Sequence, residues 1–140
     1  MTHFPLELMK QAMIISLDHV QLAMPVGQEP GARAFYGELL GLEEIEKPPV
    51  LRARGGAWFR LNDGRQVHLG VEEPFRPNLK AHPCFIVDGI MELADRLRRG
   101  NVEPLFDELA APIVRFYVSD RFGNRLEFAD RGGPCVAKSI

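Results

Sequence analysis

Three histidines and one glutamate, His19, His68, His82 and Glu127, stand at spacings that pair up. His19 and His82 lie 63 residues apart, and His68 and Glu127 lie 59 apart. A duplicated unit carrying two donor positions in each copy would bring two donors from each half to one place. Three imidazoles and a carboxylate suit a divalent first-row transition ion such as zinc, nickel, manganese or iron(II), at ligand distances of about 2.0 to 2.2 Å. Such an ion acts as a Lewis acid, holding one or two substrate oxygens and stabilising an enolate-like or alkoxide charge. The set therefore predicts a metal centre shared between two halves of the chain. His3, in the N-terminal stretch, reads as a surface residue, and Cys84 reads as a small apolar filler.

The elements that would position these donors follow from periodicity. Ile14 to Met24 alternates, with Val20 and Leu22 on an apolar face and His19 and Gln21 on a polar one, the pattern of a strand with one face on a core. A helix runs from Pro30 to about Leu40 and stops at Gly41. A short strand, Leu42 to Glu46, leads to a break at Pro48-Pro49. Ala57 to Leu61 and Gln66 to Val71 then flank the hairpin signal Asn62-Asp63-Gly64-Arg65. After the linker Glu73 to Lys80 the order returns. The strand Ala81 to Val87 precedes a helix with Asp88 as N-cap and with Ile90, Leu93, Ala94 and Leu97 on one face, ended by Gly100. A short strand near Val102 to Leu105, then Ile113 to Ser119, a turn at Asp120 to Gly123, and Arg125 to Ala129 complete it.

Both units read β-α-β-β-β. Gly100 follows Gly41 by 59 residues, and Gly64 and Gly123 each precede a candidate ligand by four. The expected class is α+β: two β-α-β-β-β modules forming a curved mixed sheet around a metal-containing cleft, with helices on the convex side. The expected divisions are an N-terminal extension over 1–13, a first module over 14–73, a second over 80–130 and a flexible tail over 131–140.

Period-two alternation assigns each side chain a face. His19 brings Gln21, His68 brings Gln66, His82 brings Cys84 and Glu127 brings Arg125. Trp58 with Arg60, and Arg115 with Tyr117, fall on the same polar side. Opposite them, Val20, Leu22, Phe59, Leu61, Val67, Leu69, Phe85, Val87, Phe116, Val118, Leu126 and Phe128 form an apolar surface for two helices to cover. Guanidinium groups at Arg60, Arg115 and Arg125 would favour an anionic or electron-rich oxygen substrate, and Trp58 adds a flat wall.

Composition narrows the field. At 46% hydrophobic and 26% charged, the chain has the balance of a globular protein, and no apolar run approaches the roughly 20 residues of a membrane span. Its start lacks a basic and apolar leader, so a cytoplasmic location is expected. A net charge of −2 with scattered Lys and Arg makes nucleic acid an unexpected partner. Two cysteines without CxxC spacing are expected to stay reduced.

Leu17-Asp18-His19-Val20, Phe35-Tyr36-Gly37-Glu38-Leu39-Leu40-Gly41-Leu42, Lys80-Ala81-His82-Pro83-Cys84-Phe85, Phe116-Tyr117-Val118-Ser119-Asp120 and Gly123-Asn124-Arg125-Leu126-Glu127-Phe128 together resemble the vicinal oxygen chelate superfamily. That superfamily includes glyoxalase I, fosfomycin-resistance thiol transferases, extradiol dioxygenases, methylmalonyl-CoA epimerase and the bleomycin-binding proteins. The resemblance implies metal ligation by His19, His82 and Glu127. It places His68 where glyoxalase-type enzymes often carry Glu or Gln, and Tyr117 where fosfomycin-type transferases carry an active-site tyrosine. It implies a small-molecule enzyme, of lyase or isomerase type with Glu127 as proton carrier, or alternatively a ring-cleaving dioxygenase. A non-catalytic binding protein of the bleomycin-resistance kind is the other alternative. A homodimer is implied, and the two modules either close one cleft within a chain or share clefts between chains.

Overall fold

In the computed structural model, which describes residues 11–132, each β-α-β-β-β unit closes its own four-stranded mixed sheet. The first unit holds β1 (His19–Met24), β2 (Glu43–Ile45), β3 (Ala57–Arg60) and β4 (Gln66–Val71), in the order β1-β4-β3-β2. The second holds β5 (Cys84–Val87), β6 (Leu105–Phe106), β7 (Arg115–Ser119) and β8 (Arg125–Asp130), in the order β5-β8-β7-β6. In both, the first strand runs parallel to the last and the remaining pairs are antiparallel.

The helix of the first unit begins as α1 (Glu29–Ala32), with Pro30 in its first turn, and continues as a π-helical segment, Arg33–Leu39. Between β2 and β3 lies α2 (Pro49–Arg52), and in the second unit α3 (Ile90–Arg99) precedes a 3₁₀ turn, Glu108–Ala110. Phe35, Tyr36, Leu93 and Leu97 are buried with Phe59, Val67, Leu69, Phe116, Leu126 and Phe128 in one core common to both units. The predicted apolar faces are the ones that pack there. By alternation the polar faces of both sheets turn away from that core.

Several expected boundaries shift. The first strand begins at His19 rather than Ile14, because Ile14, Ile15 and Leu17 have no ladder partner and stand exposed. The fifth begins at Cys84 rather than Ala81, so His82 lies in the entry to the strand. The Pro48-Pro49 break starts the short α2, with Pro49 as its first residue. The α3 N-cap is Gly89, at φ 86°, and Asp88 instead pairs with Arg131 at 3.1 Å. The expected extension lies mostly, and the expected tail almost wholly, outside the described residues.

Gly56 shows how tightly the β3 entry is built. Its φ is 88°, and an added Cβ would run into the carbonyl oxygen of Leu69 on β4. Its N–H also donates to Glu29 at 2.8 Å. Gly56→Ala is expected to cost about 3 kcal/mol, read as a lower urea midpoint with an unchanged slope.

Candidate metal centre

Cross-strand register sets out two matched rows. On the first sheet, Gln21, His68, Trp58 and Ile45 lie side by side across β1, β4, β3 and β2. On the second, Cys84, Glu127, Tyr117 and Leu105 occupy the same places across β5, β8, β7 and β6. The repeat is thus visible at the level of single side chains: His68 corresponds to Glu127 and Trp58 to Tyr117.

The first row is aromatic. Trp58 stacks on His68 with centroids 3.9 Å apart and planes 3° from parallel, and His68 stacks on His19 at 4.1 Å and 17°. His68 is only 5% exposed. Burial, and then the neighbouring His19 ring, push its pKa down from 6.5 to about 4. At neutral pH it is therefore an uncharged imidazole with a lone pair to offer. Gln21 is exposed, and its amide lies where Gly70 has no Cβ.

The second row is charged. His82 Nε2 lies 2.9 Å from Glu127 Oε1, and Arg115 Nη1 lies 3.3 Å from Glu127 Oε2. Arg115 also reaches Asp107 at 3.4 Å. The Tyr117 ring meets His82 edge to face at 5.5 Å, with the Arg125 guanidinium 4.1 Å from its centroid. Arg60 is paired with Glu43 at 2.8 Å. All three arginines expected to greet an anion thus already have protein partners.

The four expected ligands come together as two pairs, His19 with His68 and His82 with Glu127. Convergence of all four within one chain, one of the two expected arrangements, is not found: among the described residues no group of three or more His, Cys, Asp or Glu side chains is placed to hold a metal ion. The physical reason is the shared core. Both sheets direct their apolar faces into it, and the linker is tied down so that the arrangement holds. Asn78 N–H donates to Asn124 Oδ1 at 3.1 Å, and Asn78 Nδ2 donates to Ala81 O at 2.6 Å.

In each pair the imidazoles are nevertheless held at one ring nitrogen. His19 Nδ1 lies 2.8 Å from Asp18 Oδ2, His68 Nε2 lies 2.8 Å from Gln66 Oε1, and His82 Nδ1 lies 2.7 Å from Lys80 O. Ligating histidines hold one ring nitrogen in this way while the other faces the ion. With Nδ1–H of His82 given to Lys80, its Nε2 can face the Glu127 carboxylate only with a cation between them, a proton or a metal ion. The donor chemistry fits a divalent ion in two halves.

Alternation on β4 had already placed Gln66 beside His68. Asp18, adjacent to His19 in the chain, and Asp107, in the loop before β7, were not singled out. The Asp-His step was readable as a carboxylate beside an imidazole. Nothing local linked Asp107 to Arg115.

Paired β-α-β-β-β modules, each with its first strand parallel to its last, define the class of fold. The chain belongs to the Glyoxalase/Bleomycin resistance protein/Dioxygenase superfamily, whose family model matches residues 16–128. Among solved structures, it is 47% identical to a glyoxalase family protein from Bacillus anthracis, with 86% of this chain and 98% of that one covered and a TM-score of 0.82. A glyoxalase/dioxygenase from Nostoc punctiforme shares the fold at 19% identity, 86% and 97% coverage and a TM-score of 0.69. So does the fosfomycin resistance protein FosX of Listeria monocytogenes, at 18% identity, 84% and 94% coverage and a TM-score of 0.66. No curated protein sequence matches the chain. Among the described residues, no helix is long and apolar enough to cross a membrane.

Proposed function

We propose that this protein is a divalent-metal-dependent enzyme of lyase or isomerase type, acting on a small molecule that chelates through oxygen. We further propose that it works as a homodimer whose sites are shared, His19 and His68 from one chain meeting His82 and Glu127 from the other. The observation that carries this reading is the division of the donors into two pairs on outward-facing polar surfaces, each ring already held at one nitrogen. Two donors make a weak half-site, and a second copy supplies the complement.

A bound divalent ion would supply Lewis acidity toward the substrate oxygens. The chain's own groups do the rest. Glu127 carries the proton at its carboxylate, and Arg115, on Oε2, keeps that carboxylate oriented. Tyr117, beside His82, directs its hydroxyl at the developing oxyanion. Trp58, with Ile45 beyond it, gives the substrate an apolar flank, while Gln21 and Arg60 stand at the margins of the same face. Because Arg60, Arg115 and Arg125 are already paired, the ion rather than an arginine would be the principal anchor for substrate oxygen.

Elemental analysis of the purified protein tests the reading. The wild type is expected to hold zinc, nickel, manganese or iron(II), and His82→Ala and Glu127→Ala are each expected to lose it. A wild type that takes up none of these ions transfers the weight to a binding protein without catalysis. Iron(II) together with oxygen uptake on catechols would replace the lyase or isomerase assignment by ring-cleaving dioxygenation.

A further inference from the structure

The three histidines are not held by the same atom. Acceptors take Nδ1 of His19 and of His82, but Nε2 of His68. We propose that Gln66 is a positioning residue: its amide oxygen accepts from Nε2–H of His68, so that this ring offers Nδ1 to a divalent ion while His19 and His82 offer Nε2. The inference rests on the reading of His68 as a ligand given above.

Three observations carry it. Gln66 and His68 are two residues apart on β4 and so share a face, and Gln66 Oε1 lies 2.8 Å from Nε2. A neutral imidazole has one N–H and one lone pair, so a carbonyl acceptor on Nε2 leaves the lone pair on Nδ1. Next, the ring is clamped between Trp58 and His19, which fixes its plane, and a half-turn about its own axis would have to slide through both stacks. Finally, among the described residues no buried side-chain nitrogen or oxygen lacks a hydrogen-bond partner. His68 Nδ1 makes no hydrogen bond and so must be reached by solvent, on an otherwise buried residue. It is the open end of the ring.

The test uses the ¹⁵N-labelled full chain, first without metal at pH 8. His68 is expected to show a protonated Nε2 and a bare Nδ1, and His19 the reverse. Gln66→Leu keeps the bulk and removes the acceptor, so the His68 signals should shift toward a tautomer mixture and nickel affinity should fall about 10- to 100-fold. Gln66→Glu can only accept, so it should restore both the tautomer and the affinity. Loss in both variants, or a wild type that binds nickel with Nε2 of His68 bare, overturns the role given to Gln66. A wild type with the expected tautomers that binds none of the four ions overturns the functional reading instead.

Discussion

A mixed dimer built from two disabled chains should regain one complete site. One chain carries His19→Ala and His68→Ala, the other His82→Ala and Glu127→Ala. Neither homodimer is expected to retain metal, because every site in it lacks two donors. In the mixed dimer one site gathers all four substitutions and the other gathers none. Co-expressed and doubly tagged, it should hold about half the metal of the wild type, and its activity should follow in proportion. The expectation comes from the division of donors between two sheets whose polar faces both turn away from the common core. Circular dichroism of each parent separates loss of ligands from loss of fold, which matters because His68 is part of a buried ring stack. Mixed dimers as empty as their parents would rule out sharing between chains.

How much of this was legible beforehand depends on the range of the interactions involved. Alternation within strands is local, and it sorted His19, Trp58, His68, Tyr117 and Glu127 onto polar faces and Phe59, Val67, Phe116 and Leu126 into the core. Turn chemistry is also local, so the Asn62-Asp63-Gly64-Arg65 hairpin and the stops at Gly41 and Gly100 are where expected. The repeat was legible only in part. Phe59 and Phe116 look like counterparts, yet their distances to His68 and Glu127 differ by two. Register resolves the mismatch: Trp58 faces His68 directly and Tyr117 faces Glu127, each ten residues ahead, whereas Phe59 faces Val67 and Phe116 faces Phe128. The relation between the modules was not legible at all. It depends on contacts between residues far apart in the chain, such as Asn78 with Asn124, and no pattern within one element announces them.

The strongest of those long-range contacts predicts the largest loss of stability. Tyr36, on the π-helical segment of the first unit, is fully buried and donates its hydroxyl to Asp120 Oδ2 at 2.6 Å, across 84 residues of chain. Asp120 also accepts from Asn124 Nδ2 at 2.9 Å and from the backbone N–H groups of Phe122 and Asn124 at 2.8 and 2.9 Å. Asn124 Nδ2 in turn donates to Ala23 O at 2.8 Å, so the final hairpin is tied to β1 as well as to the first helix. Asp120→Ala would strand several buried donors at once, and a cost of about 3 to 5 kcal/mol is expected. Tyr36→Phe removes one donor and keeps the packing, so about 1 to 2 kcal/mol is expected. The wild type and Tyr36→Phe also part company with pH. Burial first, and then the Asp120 charge, raise the Tyr36 pKa well above 10. Above pH 10 an unfolded chain releases that proton while the folded chain keeps it, so the stability Tyr36 contributes is present below pH 10 and is lost as pH rises past it. Urea midpoints at pH 8 and pH 10.5 should therefore fall more steeply for the wild type than for Tyr36→Phe. Equal slopes in the two proteins would show that Tyr36 ionises as freely folded as unfolded, and that the bond to Asp120 does not hold the modules together.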